Sequence, residues 1–201
     1  MTTPLRLPAV ACLSLLLSAC SLFRTPAPEI GDGSGWAAQR DALAQIHGFE
    51  MQGRLRSGLV SGASINWLQD GERFEAYLAG PFGSGALALS GNPVWVRVRS
   101  GNDEWLTPDP EGWMQATLGW RLPVEGLRYW AVGLPAPGLP AVVQTDPQDR
   151  LATLEQDGWH LVYAAYQNVD GLELPRRIEL DDGSQRAILL IDRWPSINLA
   201  P

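Results

Sequence analysis

Lysine is missing from this 201-residue chain, so all 15 of its basic residues are arginine. They are outnumbered by 22 acidic residues, for a formal net charge of −7 and an isoelectric point near 4.8. That balance lacks the basic footprint of a nucleic-acid binder and leaves no polybasic grip on anionic lipid. Histidine is nearly as scarce. His47 and His160 have no partner His or Cys at ligand spacing, so no metal site is expected. The patterns G-x-S-x-G, H-E-x-x-H and G-x-x-x-x-G-K-[ST] are absent. Ser61 and Ser84 lie in Gly-rich turns without a neighbouring base, and Asp181-Asp182 precede Gly183 in a hairpin turn that they solvate. The chain therefore reads as a non-enzyme without a cofactor, whose work is driven by differences in binding.

Cysteine occurs twice, at Cys12 and Cys20. Arg6 followed by the short apolar run Leu7–Leu17 has the form of a signal peptide, too short for the roughly 20 apolar residues of a membrane span. Leu17-Ser18-Ala19-Cys20 then resembles the bacterial lipobox, against the competing reading of an ordinary secretory peptide with a chance cysteine. The lipobox implies cleavage before Cys20 and acylation of its thiol and new amino group. The mature chain would then hold no second cysteine for a disulfide and would be one unit more negative once Arg6 leaves. Two acyl chains already bind a membrane stably, at about 0.8 kcal/mol per buried CH₂, so three make the anchor effectively permanent. Ser21, rather than Asp, after the cysteine implies sorting to the outer membrane.

What the sequence has in quantity is apolar residues, 45%, and tryptophan, nine. So much indole could fill a core, stack on sugars or line a cavity for something greasy. Residues 21–33 are rich in Pro and Gly and read as a tether. A helix is predicted next, with Ser34 as N-cap, Gly48 just past its end, and Trp36, Leu43, Ile46 and His47 near one face. From Gly48 the apolar period becomes two. Phe49, Met51, Gly53 and Leu55 form one run, Ala63, Ile65 and Trp67 a second, and Phe74, Ala76 and Leu78 a third. Further strands are predicted over 86–90 and 94–99, with a hairpin turn at Asp70-Gly71. Residues 108–133 interrupt the pattern with two short helical stretches. Trp113, Leu118 and Trp120 recur in the first; Leu127 and Trp130 share a face of the second, which Pro123 opens. After the Pro-rich loop 134–140, strands resume over 150–156, 159–166, 175–180 and 184–194. Helix, strands, two helices, strands suits a mainly β fold of eight to eleven antiparallel strands, curved, with helices over its concave face and room for a ligand.

Several stretches, in this order and spacing, are similar to the outer-membrane lipoprotein receptor family LolB: QGRL (52–55), INWLQDG (65–71), GPFGSGALAL (80–89), LPVEGLRYWAVGLP (122–135), QDGWHLVYAAY (156–166), LPRRIEL (174–180) and IDRW (191–194). The resemblance implies an unclosed antiparallel β-barrel with a helical lid over an apolar cavity. It implies a non-enzymatic receptor that takes acylated lipoproteins from the periplasmic carrier LolA and places them in the inner leaflet of the outer membrane. The partners so implied are lipoprotein clients, the carrier and outer-membrane phospholipid. The protein would be a lipid-anchored monomer on the periplasmic face. The organisation expected is a signal peptide over 1–19, a lipidated tether over 20–33 and one domain over 34–201.

The family carries a protruding loop with an exposed apolar residue, usually leucine, and the matching position here is Phe82 between Pro81 and Gly83. The competing expectation is a turn that folds back so that the ring covers a barrel end. The apolar phase of the strands and lid gives a cavity lining of Ile65, Trp67, Leu78, Leu87, Leu89, Trp113, Leu118, Leu127 and Trp130. A structural envelope lipoprotein with a solid core and a Trp-rich carbohydrate-binding module are the alternatives.

Overall fold

The computed structural model describes residues 28, 30–58 and 62–200. The signal peptide, the lipobox, Cys20 and most of the tether lie outside the described residues. A short helix α1 (Trp36–Leu43) precedes β1 (Ile46–Ser57), β2 (Ala63–Asp70), β3 (Arg73–Ala79), β4 (Leu87–Gly91), β5 (Val96–Ser100) and β6 (Asp103–Thr107). Two helices follow, α2 (Pro110–Leu118) and α3 (Val124–Trp130). The chain ends with β7 (Ala141–Thr145), β8 (Leu151–Gln156), β9 (Trp159–Val169), β10 (Leu172–Asp181) and β11 (Arg186–Leu199).

The strands form one sheet in the order β6-β5-β4-β3-β2-β1-β11-β10-β9-β8-β7. It consists of two meanders, β1–β6 and β7–β11, sewn together by the antiparallel β1–β11 pair. The outer strands β6 and β7 do not pair, so the barrel is unclosed, as expected from the sequence. Alternation is strict where one face meets the lid. In β2 every second residue, Ala63, Ile65, Trp67 and Gln69, is buried, and the residues between them are exposed. Gly53 belongs to the inward phase of β1 because the backbone of β11 crosses there. A Cβ would come within 2.2 Å of the Leu190 carbonyl oxygen.

The first helix is shorter than predicted. Ser34 does not cap it; Gly35 takes the N-cap position, and no side chain caps the helix start. Nor does Gly48 end it. Ile46 pairs with Leu199, and the backbone carbonyls of Gln45 and His47 accept from Ala200 and Gly71, so the chain is already a strand there. Gly48 is needed for close approach, because its Cβ would meet the Gln69 carbonyl oxygen at 2.6 Å. The lid helices form where predicted, but Gly119 ends α2 before Trp120, and Pro123 is the N-cap of α3 rather than its first helical residue. Asp109 caps α2 by accepting from the Gly112 N–H, and Gly119 ends it in the left-handed conformation.

Candidate functional site

The predicted cavity residues fall into cross-strand rows on the lid-facing side of the first meander. Ile65 stands opposite Leu78, and Leu78 opposite Leu87. Trp67, Ala76, Leu89, Val98 and Trp105 form the next row. Trp105 then meets Trp113 of α2 with ring centroids 4.8 Å apart. Ile65, Trp67, Leu78, Leu87 and Leu89 are buried, as are Leu127 and Trp130 beneath α3, whereas Trp113 and Leu118 are partly buried. The side chains fill the space between sheet and lid together with Met114, Val124 and Leu161.

An accessible concavity lies at one mouth of this layer. A pocket of about 690 Å³ opens between the end of α1, the start of β1, the β2–β3 turn and the segment running from α3 through the Pro-rich loop. Its apolar wall includes Ile46, Phe49, Val132 and Leu134, and its rim carries Arg40, Glu72 and Arg128. This volume is within the usual range for a small-ligand site. Strand phase alone did not point to it, because apart from the start of β1 and the end of β2 its walls come from a helix end, a turn and a loop, where period-two alternation carries no information. Behind Phe49, the Trp194 ring packs edge-on at 5.3 Å, and the buried Trp194 Nε1 has no hydrogen-bond partner among the described residues.

Two glutamines also escaped the sequence reading. Gln69 faces inward and is 4% exposed. Its Oε1 accepts from Trp67 Nε1 at 3.0 Å, while its Nε2 donates to the carbonyls of Gly71 and Arg73. Gln156 ties the lid to β8. Its Oε1 accepts from Trp130 Nε1 at 2.8 Å and from the Ala136 N–H at 2.7 Å, and its Nε2 donates to the carbonyls of Ala136 and Leu139. Each amide is satisfied on both ends, the condition under which a buried polar group is retained without a desolvation penalty.

Charge gathers at the α2–α3 connection. Asp182 does more than solvate its hairpin: its side chain is 2% exposed and bonds the Arg121 guanidinium at 2.9 Å. Desolvation pulls its carboxyl up, but hydrogen bonds from Ser184, Gln185 and Arg121 prevail and hold it at about 2. Burial pushes the Glu111 carboxyl up to about 7, with Arg121 opposing and the carboxylates of Asp157 and Glu125 reinforcing the shift. His47 lies 3.9 Å from Asp70 and His160 lies 3.6 Å from Glu155, all exposed. Among the described residues no group of three or more His, Cys, Asp or Glu could hold a metal ion. No helix among them is long and apolar enough to cross a membrane.

The β3–β4 connection presents the opposite kind of feature. Residues Pro81–Gly83 make a single 3₁₀ turn, closed by Gly80 N–H to Ser84 O at 2.8 Å and by Ser84 Oγ to Pro81 O at 2.9 Å. Phe82 sits at its apex with φ 58° and ψ 25°, and its relative exposure is 110%. The left-handed region is uncommon for a bulky residue and costs on the order of 1–2 kcal/mol. A ring at such a position is not tucked against the fold. The tip and the β2–β3 turn on the pocket rim lie at opposite ends of β3, ~25 Å apart by strand rise.

The model of the family described as outer membrane lipoprotein LolB matches residues 49–194, from the inward Phe49 of β1 to Trp194 of β11. The chain belongs to the LolB family. An outer-membrane lipoprotein LolB from Nitrosococcus oceani is 36% identical over 94% of this chain and 96% of the relative. The one from Stutzerimonas stutzeri is 36% identical over 91% and 92%, and the one from Pseudomonas fluorescens 35% over 89% and 90%. Among solved structures, a LolA superfamily protein from Nitrosomonas europaea superposes with a TM-score of 0.52 at 10% identity. It covers 84% of this chain and 94% of its own, a likeness of fold. The LolB stretches quoted above occupy the elements just described: QGRL is the β1 crossing at Gly53, QDGW opens with the lid-tying Gln156, and GPFG is the tip.

Proposed function

We infer that this LolB-family protein is a lipoprotein of the outer membrane that accepts acylated lipoproteins from a periplasmic carrier and inserts them into the inner leaflet of that membrane. The observation that carries the reading is the family match over residues 49–194, which spans the unclosed barrel and its lid. It acts without catalysis. An acyl chain left in water forfeits about 0.8 kcal/mol per CH₂, so each step of such a transfer needs an apolar container. Transfer then runs downhill from carrier to receptor to bilayer.

Cys20 is the lipid anchor, residues 20–33 are the tether and 34–201 the working domain, which acts as a monomer. Phe82, held by Pro81 and Gly83, is the contact with outer-membrane phospholipid. Its full exposure on a closed turn supports this role over that of a plug for the barrel end. The acyl chains occupy the layer between lid and sheet, entering at the 690 Å³ mouth, with Ile65, Trp67, Leu78, Leu87, Leu89, Trp113, Leu118, Leu127 and Trp130 as its deeper lining. Trp67, Trp130, Trp159 and Trp194 are buried, which disfavours a sugar platform. In a purified mixture, the protein should draw a triacylated client from the loaded carrier and pass it to phospholipid vesicles. Failure of any client to transfer, at every carrier loading, would refute the receptor reading.

A further inference from the structure

The lid is held unequally by the two meanders. At the start of α3, Arg121 N–H donates to Gln185 Oε1, Gln185 Nε2 donates back to Arg121 O at 2.8 Å, and the Arg121 guanidinium bonds the buried Asp182. Arg121 also lies over the Trp159 ring at 5.2 Å. At the other end, Trp130 and Ala136 bond Gln156, and Tyr163 Oη donates to Trp130 O at 3.1 Å. All of these partners belong to β8, β9 or the β10–β11 turn, in the second meander. Toward the first meander α3 offers Val124 beside Phe74, Pro93 and Val96, and Arg128 Nη2 to Gly71 O at 3.5 Å, the limit of a hydrogen bond. The two attachments therefore differ in kind. One is a set of short, partly buried polar bonds with fixed geometry, and the other is apolar contact that another apolar surface can replace.

We propose that α3 and the Pro-rich loop form one body with the second meander, and that the acyl chain opens the protein along the seam between α3 and β2–β5. The seam begins at the 690 Å³ mouth, where Phe49, Gln69 and Gly71 face Arg128, Tyr129 and Val132 across the gap. An acyl chain entering there substitutes for the Val124 contacts with Phe74 and Val96 without breaking the Gln156 or Asp182 ties. The reverse motion, lifting α3 off β8 and β9, would strip Trp130 Nε1, the Ala136 N–H and Gln156 of their partners and take the Arg121 guanidinium from Asp182, which keeps only its bonds within its own turn. The proposal rests on the acyl-receptor reading.

A cleft of about 170 Å³ supplies the test, because Glu125 of α3 lies in it between Pro93 of the β4–β5 turn and Asp157 of the β8–β9 turn. Two double variants, Glu125→Cys with Pro93→Cys and Glu125→Cys with Asp157→Cys, take the same short bismaleimide cross-linker. Each is assayed as the full acylated protein in phosphatidylethanolamine–phosphatidylglycerol nanodiscs. The probe is a fluorescent triacylated cysteinyl peptide presented on the periplasmic carrier, and each variant before linking is its own folding control. Linking 125 to 93 should slow acceptance at least tenfold, whereas linking 125 to 157 should leave it within twofold. Equal slowing by both links, no slowing by either, or the opposite order would overturn the seam assignment alone. No acceptance by the unlinked parent protein would instead overturn the receptor reading, and the seam with it.

Discussion

Phe82→Gly should make the fold no less stable while weakening its work at the membrane, an unusual pairing that follows from one backbone angle. The native residue holds φ 58° with its ring fully in solvent, so glycine removes no packing and relieves roughly 1–2 kcal/mol of left-handed strain. Against this, glycine adds about 0.5–1 kcal/mol of unfolded-state freedom. The balance lies between no change and a gain of about 1.5 kcal/mol, read as an unchanged or higher midpoint in urea at constant slope. At the bilayer the same substitution removes a ring whose full burial is worth about 1.5–3 kcal/mol. Delivery of client to phosphatidylethanolamine vesicles should therefore slow by about 10- to 150-fold, if the ring is fully buried at the rate-limiting step. Acceptance from the carrier should stay near that of the parent protein, because the pocket rim lies at the far end of β3. A loss of more than 1 kcal/mol of stability would show that the ring packs against the fold in solution, and the exposed-tip assignment would fail with it.

Phe82→Glu should likewise stall delivery and spare folding and acceptance; equal loss of both transfer steps would remove the tip from its release role. Trp67→Phe should cost about 2–4 kcal/mol in thermal or urea unfolding, since it strips the Gln69 Oε1 of its indole donor and leaves a small cavity. Trp194→Phe should stay within about 1 kcal/mol of the parent, because the lost area is offset by deletion of an N–H that has no acceptor among the described residues; similar losses at both sites would contradict the assignment. Glu111 titrates high in the folded protein, near 7 against 4.5 unfolded. Between those values the folded state binds the extra proton, so this group's contribution is present at pH 4.5 and is lost as pH rises through 7. Glu111→Gln should therefore flatten the pH dependence of stability across that window and raise stability at pH 8 by up to about 3 kcal/mol. An unaltered pH profile would mean that the carboxyl is solvated.

The strands with a buried face were legible because burial imposes a period of two on the sequence. The β2 and β3 runs, Ala63-Ile65-Trp67 and Phe74-Ala76-Leu78, point inward as their alternation predicts. Of the edge strands, β6 was expected only through Trp105, without bounds, and β7 was not predicted; their composition explains why. Asp103–Thr107 has its first four residues exposed, and Ala141–Thr145 has Val142 exposed on an unpaired edge, so neither alternates clearly. The tip was legible as chemistry, Pro and Gly around a lone Phe, though its left-handed backbone was not. The lid-tying role of Gln156 had no local signal at all. It depends on Trp130 and Ala136, 26 and 20 residues away, arriving at the same amide. Likewise the Asp182–Arg121 pair spans 61 residues, and a reading of Asp181-Asp182-Gly183 as a turn was correct but incomplete.

The two features with the clearest physical signatures, the apolar mouth and the phenylalanine tip, are separated by the length of β3, and this separation constrains how delivery proceeds. If Phe82 touches the bilayer, the β2–β3 rim of the mouth is held ~25 Å away from it, free to meet a carrier. Acceptance and membrane contact can then be simultaneous, but an acyl chain in the mouth is not yet in lipid. On the proposed route it traverses first the Trp67–Ala76–Leu89 row and then the Ile65–Leu78–Leu87 row, which succeed one another from the β2–β3 turn toward the β3–β4 tip. That path is lined by buried apolar side chains under α3 and is closed when α3 lies against Phe74 and Val96. On this path, the opening proposed along the seam would serve release as well as loading. A lid lifted from β8 instead would expose Gln156 and Asp182 without connecting the mouth to the tip.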